Sequence, residues 1–174
     1  MKKSVIIING VGGSGKDTIC NIVSKYYKTE IISQIDPIKE IAKYGGWNGE
    51  KDDKSRKMLS DLKMLFVAYN NLPFNYSIEK INEFEKTDKN ILFIHIREKE
   101  EISKIVTSSP LKVYTLLIKR SDKDFIKRTY GNFSDDSVDD YDYDFIYDGN
   151  NETEVKLEND FMEFFNTKIL PNLL

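Results

Sequence analysis

The sequence predicts an α/β fold, a three-layer sandwich in which helices cover both faces of a central parallel sheet of five strands. Short continuous runs of β-branched and other apolar residues recur along the chain, as expected for strands buried on both faces. Longer segments with apolar residues at helical spacing separate these runs, and this alternation is typical of βαβ units. Right-handed crossovers place helices on both faces of such a sheet, and its ligands bind beyond the carboxyl ends of the strands.

Five apolar runs predict the strands, at residues 5–8, 30–33, 91–96, 113–118 and 145–147. Periodic apolar residues predict helices at about 15–27, 36–44, 58–69, 78–84, 102–106, 121–130 and 157–169. Asp36 is expected to be the N-cap of the second helix, because the following Pro37 suits the first helical position. The polar residues 48–57 are expected to form a mobile loop.

The length and composition of the chain fit a single domain, residues 1–174. The chain is 40% hydrophobic and 32% charged, which is enough apolar material for a sizeable core and excludes wholesale disorder. Its 26 basic and 29 acidic residues give a net charge of −3. A general nucleic-acid binder normally carries a basic surplus, so we expect no nucleic-acid partner.

A single cysteine, Cys20, excludes an internal disulfide and suits a reducing compartment. It lies beside the apolar face of the first predicted helix, where we expect it to be buried and inert. No apolar run approaches the roughly 18 residues that a membrane-spanning helix needs, and the apolar stretch after Lys2-Lys3 is too short for a signal peptide. We therefore expect a cytoplasmic protein with no membrane partner, either a monomer or a homodimer.

The strongest functional signal is the run Gly10-Val11-Gly12-Gly13-Ser14-Gly15-Lys16-Asp17-Thr18. It follows a predicted strand and opens a predicted helix, which is the context of a phosphate-binding Walker A loop. Glycines let successive backbone N–H groups point at phosphate oxygens, and the helix N-terminus adds partial positive charge. A glycine-rich turn that only joins strand to helix is the alternative, but the Gly-x4-Gly-Lys spacing favours phosphate binding.

Asp17 occupies the position at which the usual loop has a Ser or Thr that binds magnesium. Its carboxylate could bind the cation directly or through water. Thr18 could serve instead if the start of the helix is shifted.

The loop resembles that of P-loop deoxynucleoside monophosphate kinases, which often carry Gly-Lys-Asp-Thr, and phosphomevalonate kinases of the same superfamily have a similar Lys-Asp loop. Later segments are similar in the same order, at residues 35–42, 46–59, 94–98 and 144–150. The resemblance implies an adenylate kinase-like P-loop NTPase fold that transfers phosphate from ATP, with Mg²⁺, to a small acceptor such as a (deoxy)nucleoside monophosphate. It also implies an acceptor-side helical region at about 36–88 and a lid-like segment at about 119–142.

The resemblance assigns the donor phosphates to Lys16 and the loop residues Gly10, Gly12, Gly13, Ser14, Gly15, Asp17 and Thr18. It implies that Lys16, Arg120 and Arg128 are catalytic, with the two arginines closing over the transferring phosphoryl group. The alternative for Arg128 is an exposed i,i+4 pair with Asp124, which stabilises a helix only slightly.

Four residues are expected to bind the acceptor. Asp36 would orient a hydroxyl or amine and Lys39 would meet a phosphate, although Asp36 could simply cap its helix. Arg56 suits a bidentate phosphate contact, with a solvated surface arginine as the alternative. Arg97 follows a buried strand at the carboxyl edge of the predicted sheet, where ligands bind.

Two further residues leave alternatives open. His95 stands where the resembled kinases usually carry an Asp that helps to hold magnesium, and imidazole is a poorer ligand for that cation. Either Asp17 carries more of the metal binding, or the protein binds nucleotide with little turnover. Trp47 could stack on a base or serve only in packing. A kinase for a non-nucleotide acceptor, such as phosphomevalonate or a sugar acid, also remains open.

Overall fold

The computed structural model describes residues 2–50, 52–120, 138–149 and 153–174. Five strands form one sheet in the order β2-β3-β1-β4-β5, and every neighbouring pair is parallel. This arrangement confirms the predicted sheet. The strands are β1 (Ser4–Asn9), β2 (Thr29–Ser33), β3 (Ile91–His95), β4 (Lys112–Arg120) and β5 (Phe145–Gly149).

Helices connect the strands within the described residues. They are α1 (Lys16–Ser24), α2 (Asp36–Tyr44), α3 (Asp53–Asn70), α4 (Leu72–Glu85), α5 (Lys99–Ser108) and α6 (Glu154–Phe164). A 3-10 turn covers Val138–Asp140, and a π-helical stretch and a last helical turn follow α6 at Phe165–Ile169 and Leu170–Leu173. The helix predicted at 121–130 lies outside the described residues. No described helix has both the length and the apolar character that crossing a membrane requires.

The central strand β1 shows why the molecule has three layers. All six of its residues are buried. Because side chains alternate along a strand, Ile6 and Ile8 face one cluster with α1 and α6, while Val5 and Ile7 face the other with α4 and α5. A strand with apolar side chains on both faces buries all of them only when helices cover both faces of the sheet.

Polar contacts hold both ends of β1. At its start, the Ser4 amide donates to the carbonyl of Asn90 at 3.0 Å. At its end, the Asn9 side chain is fully buried, and both its carboxamide nitrogen and its carboxamide oxygen form hydrogen bonds. The register pairs Ile8 with His95 of β3, and His95 with Ser33 of β2, so the carboxyl ends of these strands lie level. The segments after β1, β2 and β3 therefore leave the sheet at one edge.

The segment predicted as a loop at 48–57 is partly helical. Helix α3 begins at Asp53, and the carboxylate of Asp52 caps it by accepting from the Ser55 amide at 2.7 Å. The sequence prediction was wrong here because residues 53–57 have no apolar periodicity. The predicted end of β5 at residue 147 is also corrected, since Asp148 and Gly149 continue the pairing with β4.

Helix α3 buries polar residues more deeply than the apolar residues that predicted it. Its buried residues are Ser60 and Lys63, whereas Leu65 and Tyr69 are 61% and 79% exposed. The helix packs on α2 and α4 rather than on the sheet. Its inward face therefore lines a polar cavity instead of the hydrophobic core.

Candidate functional site

The loop after β1 turns by means of glycines with positive φ angles. Gly10 has φ +150°, and a Cβ atom there would lie 2.5 Å from the Ile118 carbonyl oxygen and 2.6 Å from Ser14 Oγ. No side chain fits that space. Gly15, with φ +90°, precedes the first residue of α1 in the left-handed conformation, which glycine adopts at little cost. The loop thus bends tightly into the N-terminus of α1.

The turn exposes groups suited to an anion. The first amides of a helix have no intrahelical acceptor, and the helix dipole favours negative charge there. The hydroxyl oxygen of Ser14 is buried and has no hydrogen-bond partner among the described residues. A buried polar atom of this kind is normally satisfied, so it marks a place for a further hydrogen-bonding group. The turn therefore offers donor groups to an anionic ligand, and phosphate binding at this loop stays a prediction.

The ammonium group of Lys16 lies within the loop. It donates to the carbonyl oxygen of Val11 at 2.9 Å and to that of Gly10. Burial, together with the nearby positive charge of Arg97, lowers the pKa of Lys16 to about 8. Both effects disfavour the charged form, and an anionic group beside the ammonium would oppose them.

A cavity of about 460 Å³ lies on one side of the loop, between the loop and helices α2 and α3; we call it the α3 cavity. Its volume is typical of small-molecule sites. Five loop and strand-end positions contribute to it on the loop side, namely Ile8, Gly12, Gly13, Lys16 and Asp17. The predicted residues Asp36, Lys39, Arg56 and Arg97 all line it as well.

A second cavity of about 340 Å³ lies on the other side of β1; we call it the β5 cavity. Its walls come from the loop, the ends of β4 and β5 and the start of α6. The predicted residues Ser14, Gly15, Thr18 and Arg120 line it, together with Lys119 and Glu154. Because β1 lies between β3 and β4, its loop separates the two cavities.

Asp36 is not the N-cap that the sequence predicts. Ile35 occupies that position, and no side chain caps the helix. The Asp36 carboxylate instead accepts from the Ser33 amide at 2.7 Å and from Lys39 Nζ at 2.9 Å. It therefore joins the end of β2 to the first turn of α2, at the edge of the α3 cavity.

Helix α3 supplies Arg56, Ser60 and Lys63 to the cavity, at i, i+4 and i+7. Lys63 was missed in the sequence analysis. Its side chain is only 8% exposed and pairs with Glu98, which follows Arg97 and is 12% exposed. The signal that could have found it is the row of polar residues at helical spacing from Arg56.

Trp47 also lines the α3 cavity and is half-buried. Its indole N–H donates to the Glu50 carbonyl at 3.1 Å, and its own amide donates to the Ala42 carbonyl at 2.9 Å. These bonds hold the ring at the end of α2 with its polar edge satisfied.

His95 lies beside Asp17 and Cys20 at the end of β3. Its Nε2 is 3.7 Å from Asp17 Oδ1 and 3.8 Å from Cys20 Sγ. Burial lowers the pKa of His95 to about 4, although the Asp17 carboxylate acts in the opposite direction. The imidazole is therefore neutral at pH 7. Burial also raises the pKa of the Cys20 thiol, in agreement with the expected buried, inert cysteine.

Of the two predicted catalytic arginines, the structure describes Arg120 and not Arg128. Arg120 ends β4 and lines the β5 cavity. Arg128, and with it most of the lid-like segment, lies outside the described residues. The chain is described again from Val138, where Asp139 lies 3.7 Å from Lys119.

No protein-family profile matches the chain, and no curated protein matches it. Solved structures do match. A sugar kinase from Janibacter sp. is 14% identical, with 99% of this chain and 98% of that chain covered at a TM-score of 0.53. Thymidylate kinase from Candida albicans is 14% identical, with 95% and 92% covered at 0.52. A protein from Thermus thermophilus is 14% identical, with 96% and 99% covered at 0.54.

The central parallel sheet, the loop after β1 and these similarities agree on one architecture. The chain has the P-loop NTPase fold. In this fold, residues 10–18 connect β1 to the first turn of α1, and Lys16 is the first residue of that helix. At such low identity, the likeness concerns the fold and not the substrate.

Magnesium, which the resemblance implies, would find a suitable ligand in Asp17, beside the loop of residues 10–18. The Asp17 carboxylate is 83% exposed and supplies the hard oxygen atoms that this cation prefers. No group of three His, Cys, Asp or Glu side chains within the described ranges forms a metal site. Magnesium often takes only one or two carboxylates and completes its shell with phosphates and water, so the single carboxylate fits.

Proposed function

We propose that this protein transfers the terminal phosphoryl group of ATP to a small phosphorylated acceptor, with a (deoxy)nucleoside monophosphate as the acceptor that suits the site best. The observation that carries the proposal is the position of the phosphate loop between two cavities. Phosphoryl transfer needs a donor and an acceptor that approach one phosphorus atom from opposite sides. A loop that only stored a nucleotide would need the β5 cavity but not the α3 cavity with its cationic side chains.

The β5 cavity suits the nucleoside part of the donor. It opens at Gly15 and Thr18, so a phosphate chain that starts there can follow the loop toward Lys16. Arg120 and Lys119 bring positive charge to its rim. In this proposal Arg120 stabilises the transferring group, and Arg128 from the segment outside the described residues joins it.

The α3 cavity suits the acceptor. Lys39, Arg56 and Arg97 supply cationic groups, and a planar guanidinium matches a phosphate through two parallel hydrogen bonds. Apolar walls lie beside them, formed by Ile31 and Leu59. A ligand with one anionic end and one apolar body fits this combination.

The Trp47 ring favours an acceptor that carries a nucleobase over an acceptor with an aliphatic group. Its indole N–H is already satisfied, so the ring contributes its face and not a hydrogen bond. Aromatic rings stack on planar partners in offset arrangements, and a nucleobase is such a partner. The same wall gives no comparable contact to an aliphatic phosphate.

The chemistry needs no nucleophilic side chain, because positioning and charge stabilisation carry most of phosphoryl transfer. Lys16 and the amides at the start of α1 hold the donor phosphates. Arg56 and Arg97 hold the acceptor phosphate at the other side of the loop, and Asp36 orients a polar group of the acceptor. Asp17 would hold Mg²⁺, which supplies positive charge to the phosphate oxygens when bound.

A second function, nucleotide binding with little turnover, is favoured by one observation. His95 is a neutral, buried imidazole beside Asp17, where a second carboxylate would give magnesium a stronger site. Weak metal binding would leave the cradle able to bind nucleotide but slow in transfer.

A coupled assay of ATP consumption with a panel of acceptors tests the proposal. The panel contains nucleoside monophosphates, phosphomevalonate and sugar acids. We expect consumption that depends on a monophosphate, and we expect Arg56→Met to raise the acceptor KM about tenfold or more, with the ATP KM within about twofold. Lys57→Met is the matched control, because Lys57 is an exposed neighbour on α3 paired with Asp61.

Intrinsic fluorescence gives a second measurement in the same series, since Trp47 is the sole tryptophan of the chain. A nucleoside monophosphate that stacks on the ring should change its emission, whereas an aliphatic phosphate should not. ATP binding without consumption in the presence of any acceptor would contradict the kinase and support the binding protein. Consumption only with a non-aromatic acceptor would contradict the nucleotide assignment alone.

A further inference from the structure

A buried polar junction joins three parts of the molecule that lie far apart in sequence. Its centre is Asn9, the last residue of β1, whose side chain has no exposed surface. The carboxamide oxygen accepts from the Gly10 amide at 2.8 Å. The carboxamide nitrogen donates to the Arg97 carbonyl at 2.9 Å and to Tyr143 Oη at 2.7 Å. Both hydrogens and one lone pair of the amide are therefore used.

Tyr143 extends the junction to a third segment. Its hydroxyl accepts from Asn9 and donates to the Val138 carbonyl at 2.9 Å. The ring is 8% exposed and packs against Tyr141 edge to face at 5.1 Å between centroids. Burial raises the pKa of Tyr143 to about 12, so the hydroxyl stays protonated and continues to donate.

Each partner of the junction belongs to the proposed site or to its border. Gly10 opens the phosphate loop, and its carbonyl accepts from the Lys16 ammonium. Arg97 lines the α3 cavity, and its carbonyl is held by Asn9. Val138 is the first described residue after residue 120. The Asn9 side chain thus links the loop that begins at Gly10, the backbone of Arg97 and the chain that carries Tyr143.

We propose that Asn9 and Tyr143 are positioning residues that set the spacing between the phosphate loop and Arg97 and tie that spacing to the chain returning after residue 137. The inference rests on the proposed phosphotransfer and adds to it the part that aligns its two sites. Displacements of the order of 1 Å in such an alignment reduce transfer strongly, although the displaced residue does not touch the substrate.

The chain around Tyr143 has a second attachment to the sheet, so loss of the Tyr143 hydroxyl should disturb the alignment without releasing the chain. The Asp144 carboxylate accepts from both the amide and the hydroxyl of Thr115, at 2.8 and 2.9 Å, and the Asp144 amide donates back to that hydroxyl. This attachment ties residues 143–144 to β4 without involving Asn9. The segment therefore remains fixed to the sheet when the Tyr143 hydroxyl is removed.

The test compares Tyr143→Phe with Tyr114→Phe. Both changes keep the ring and delete one hydroxyl that donates to a backbone carbonyl, at 2.9 Å to Val138 and at 2.6 Å to Asn172. Tyr114 lies on β4, in register with Ile6 and away from the loop. For Tyr143→Phe we expect kcat to fall about tenfold or more, with the ATP Kd within about twofold. For Tyr114→Phe we expect kcat to stay within about twofold.

Wild-type kcat in folded Tyr143→Phe would overturn the inference, and so would an equal loss in both variants. Amide chemical shifts of the intact protein provide a readout that needs no activity. Tyr143→Phe should shift the amides of Gly10 and Glu98, which flank the two junction contacts, while Tyr114→Phe should leave both in place. If the wild type transfers to no acceptor, the proposed function fails, and these shifts still decide on the junction. Unmoved shifts would then overturn it.

Discussion

The ammonium group of Lys16 is largely withdrawn from water and lies near the Arg97 guanidinium, and its pKa falls to about 8 as a result. In the unfolded chain the same lysine has its ordinary pKa of 10.5. Between these two values the unfolded state holds more protons than the folded state, so the free energy of unfolding rises with pH in that window. Below pH 8 both states are charged, and the folded state bears the full penalty of burying the charge.

Lys16→Met should therefore stabilise the unliganded protein while it removes phosphate binding. We expect the free energy of unfolding at pH 7 to rise by about 1–2 kcal/mol, allowing for the two lost hydrogen bonds to loop carbonyls. The gain should fade as pH rises from 8 toward 10.5. Urea unfolding at pH 7 and pH 10 measures it, with exposed Lys57→Met as the control. A variant less stable than wild type at pH 7 would contradict the assignment.

Residues close together in the sequence were the ones whose placement could be predicted. The glycine spacing before Lys16 specifies a loop by itself, and Arg97 follows from its position after a strand. Lys63 and Tyr143 could not be found in that way. Their partners, Glu98 and Asn9, are 35 and 134 residues away, so their roles depend on packing that no local pattern contains.

Helix α3 shows the same limit at the scale of an element. Its periodic apolar residues predicted a helix correctly, but periodicity alone does not say which face meets the protein. The inward face carries Arg56, Ser60 and Lys63 because it borders a cavity and not the core. Met58, Leu65 and Tyr69 consequently point away from it and are exposed.

This arrangement makes the stability of the protein insensitive to Leu65 of α3. Leu65 is 61% exposed, so Leu65→Ala should change the free energy of unfolding by less than about 0.5 kcal/mol. Ile81 on neighbouring α4 has no exposed surface, and Ile81→Ala should lower it by about 2–4 kcal/mol. Chemical denaturation of both variants checks the contrast. Similar losses in the two would show that the apolar face of α3 is buried after all.

At the scale of the whole molecule, the number of buried contacts that hold an element differs between β1 at the centre and the outer helices. Strand β1 has parallel neighbours on both edges and a hydrophobic cluster on both faces. Helix α3 packs mainly on α2 and α4, and its buried residues are Ser60 and Lys63. Local openings have lower free energies where fewer buried contacts must be broken.

Native-state hydrogen exchange should reproduce this gradient. The amides of residues 5–8 should exchange only through global unfolding, whereas those in the middle of α3 should exchange through openings of lower free energy. Helix α4, which buries Ile81 and Phe84, is the matched helical comparison and should lie between them. Amides of α3 as protected as those of β1 would contradict the gradient.

The all-apolar interior of β1 has one more consequence. A shift of β1 by one residue, about 3.3 Å, would move Val5 and Ile7 to the face that Ile6 and Ile8 now occupy, and the reverse. Because both faces meet apolar clusters, the hydrophobic core would oppose this shift only weakly. Two contacts at the end of the strand oppose such a shift, namely the close fit of Gly10 against Ile118 and the hydrogen bond from the Gly10 amide to the Asn9 side chain. Exchanges among branched apolar residues inside the strand should therefore be tolerated, whereas Asn9 and the following Gly10 should not tolerate change.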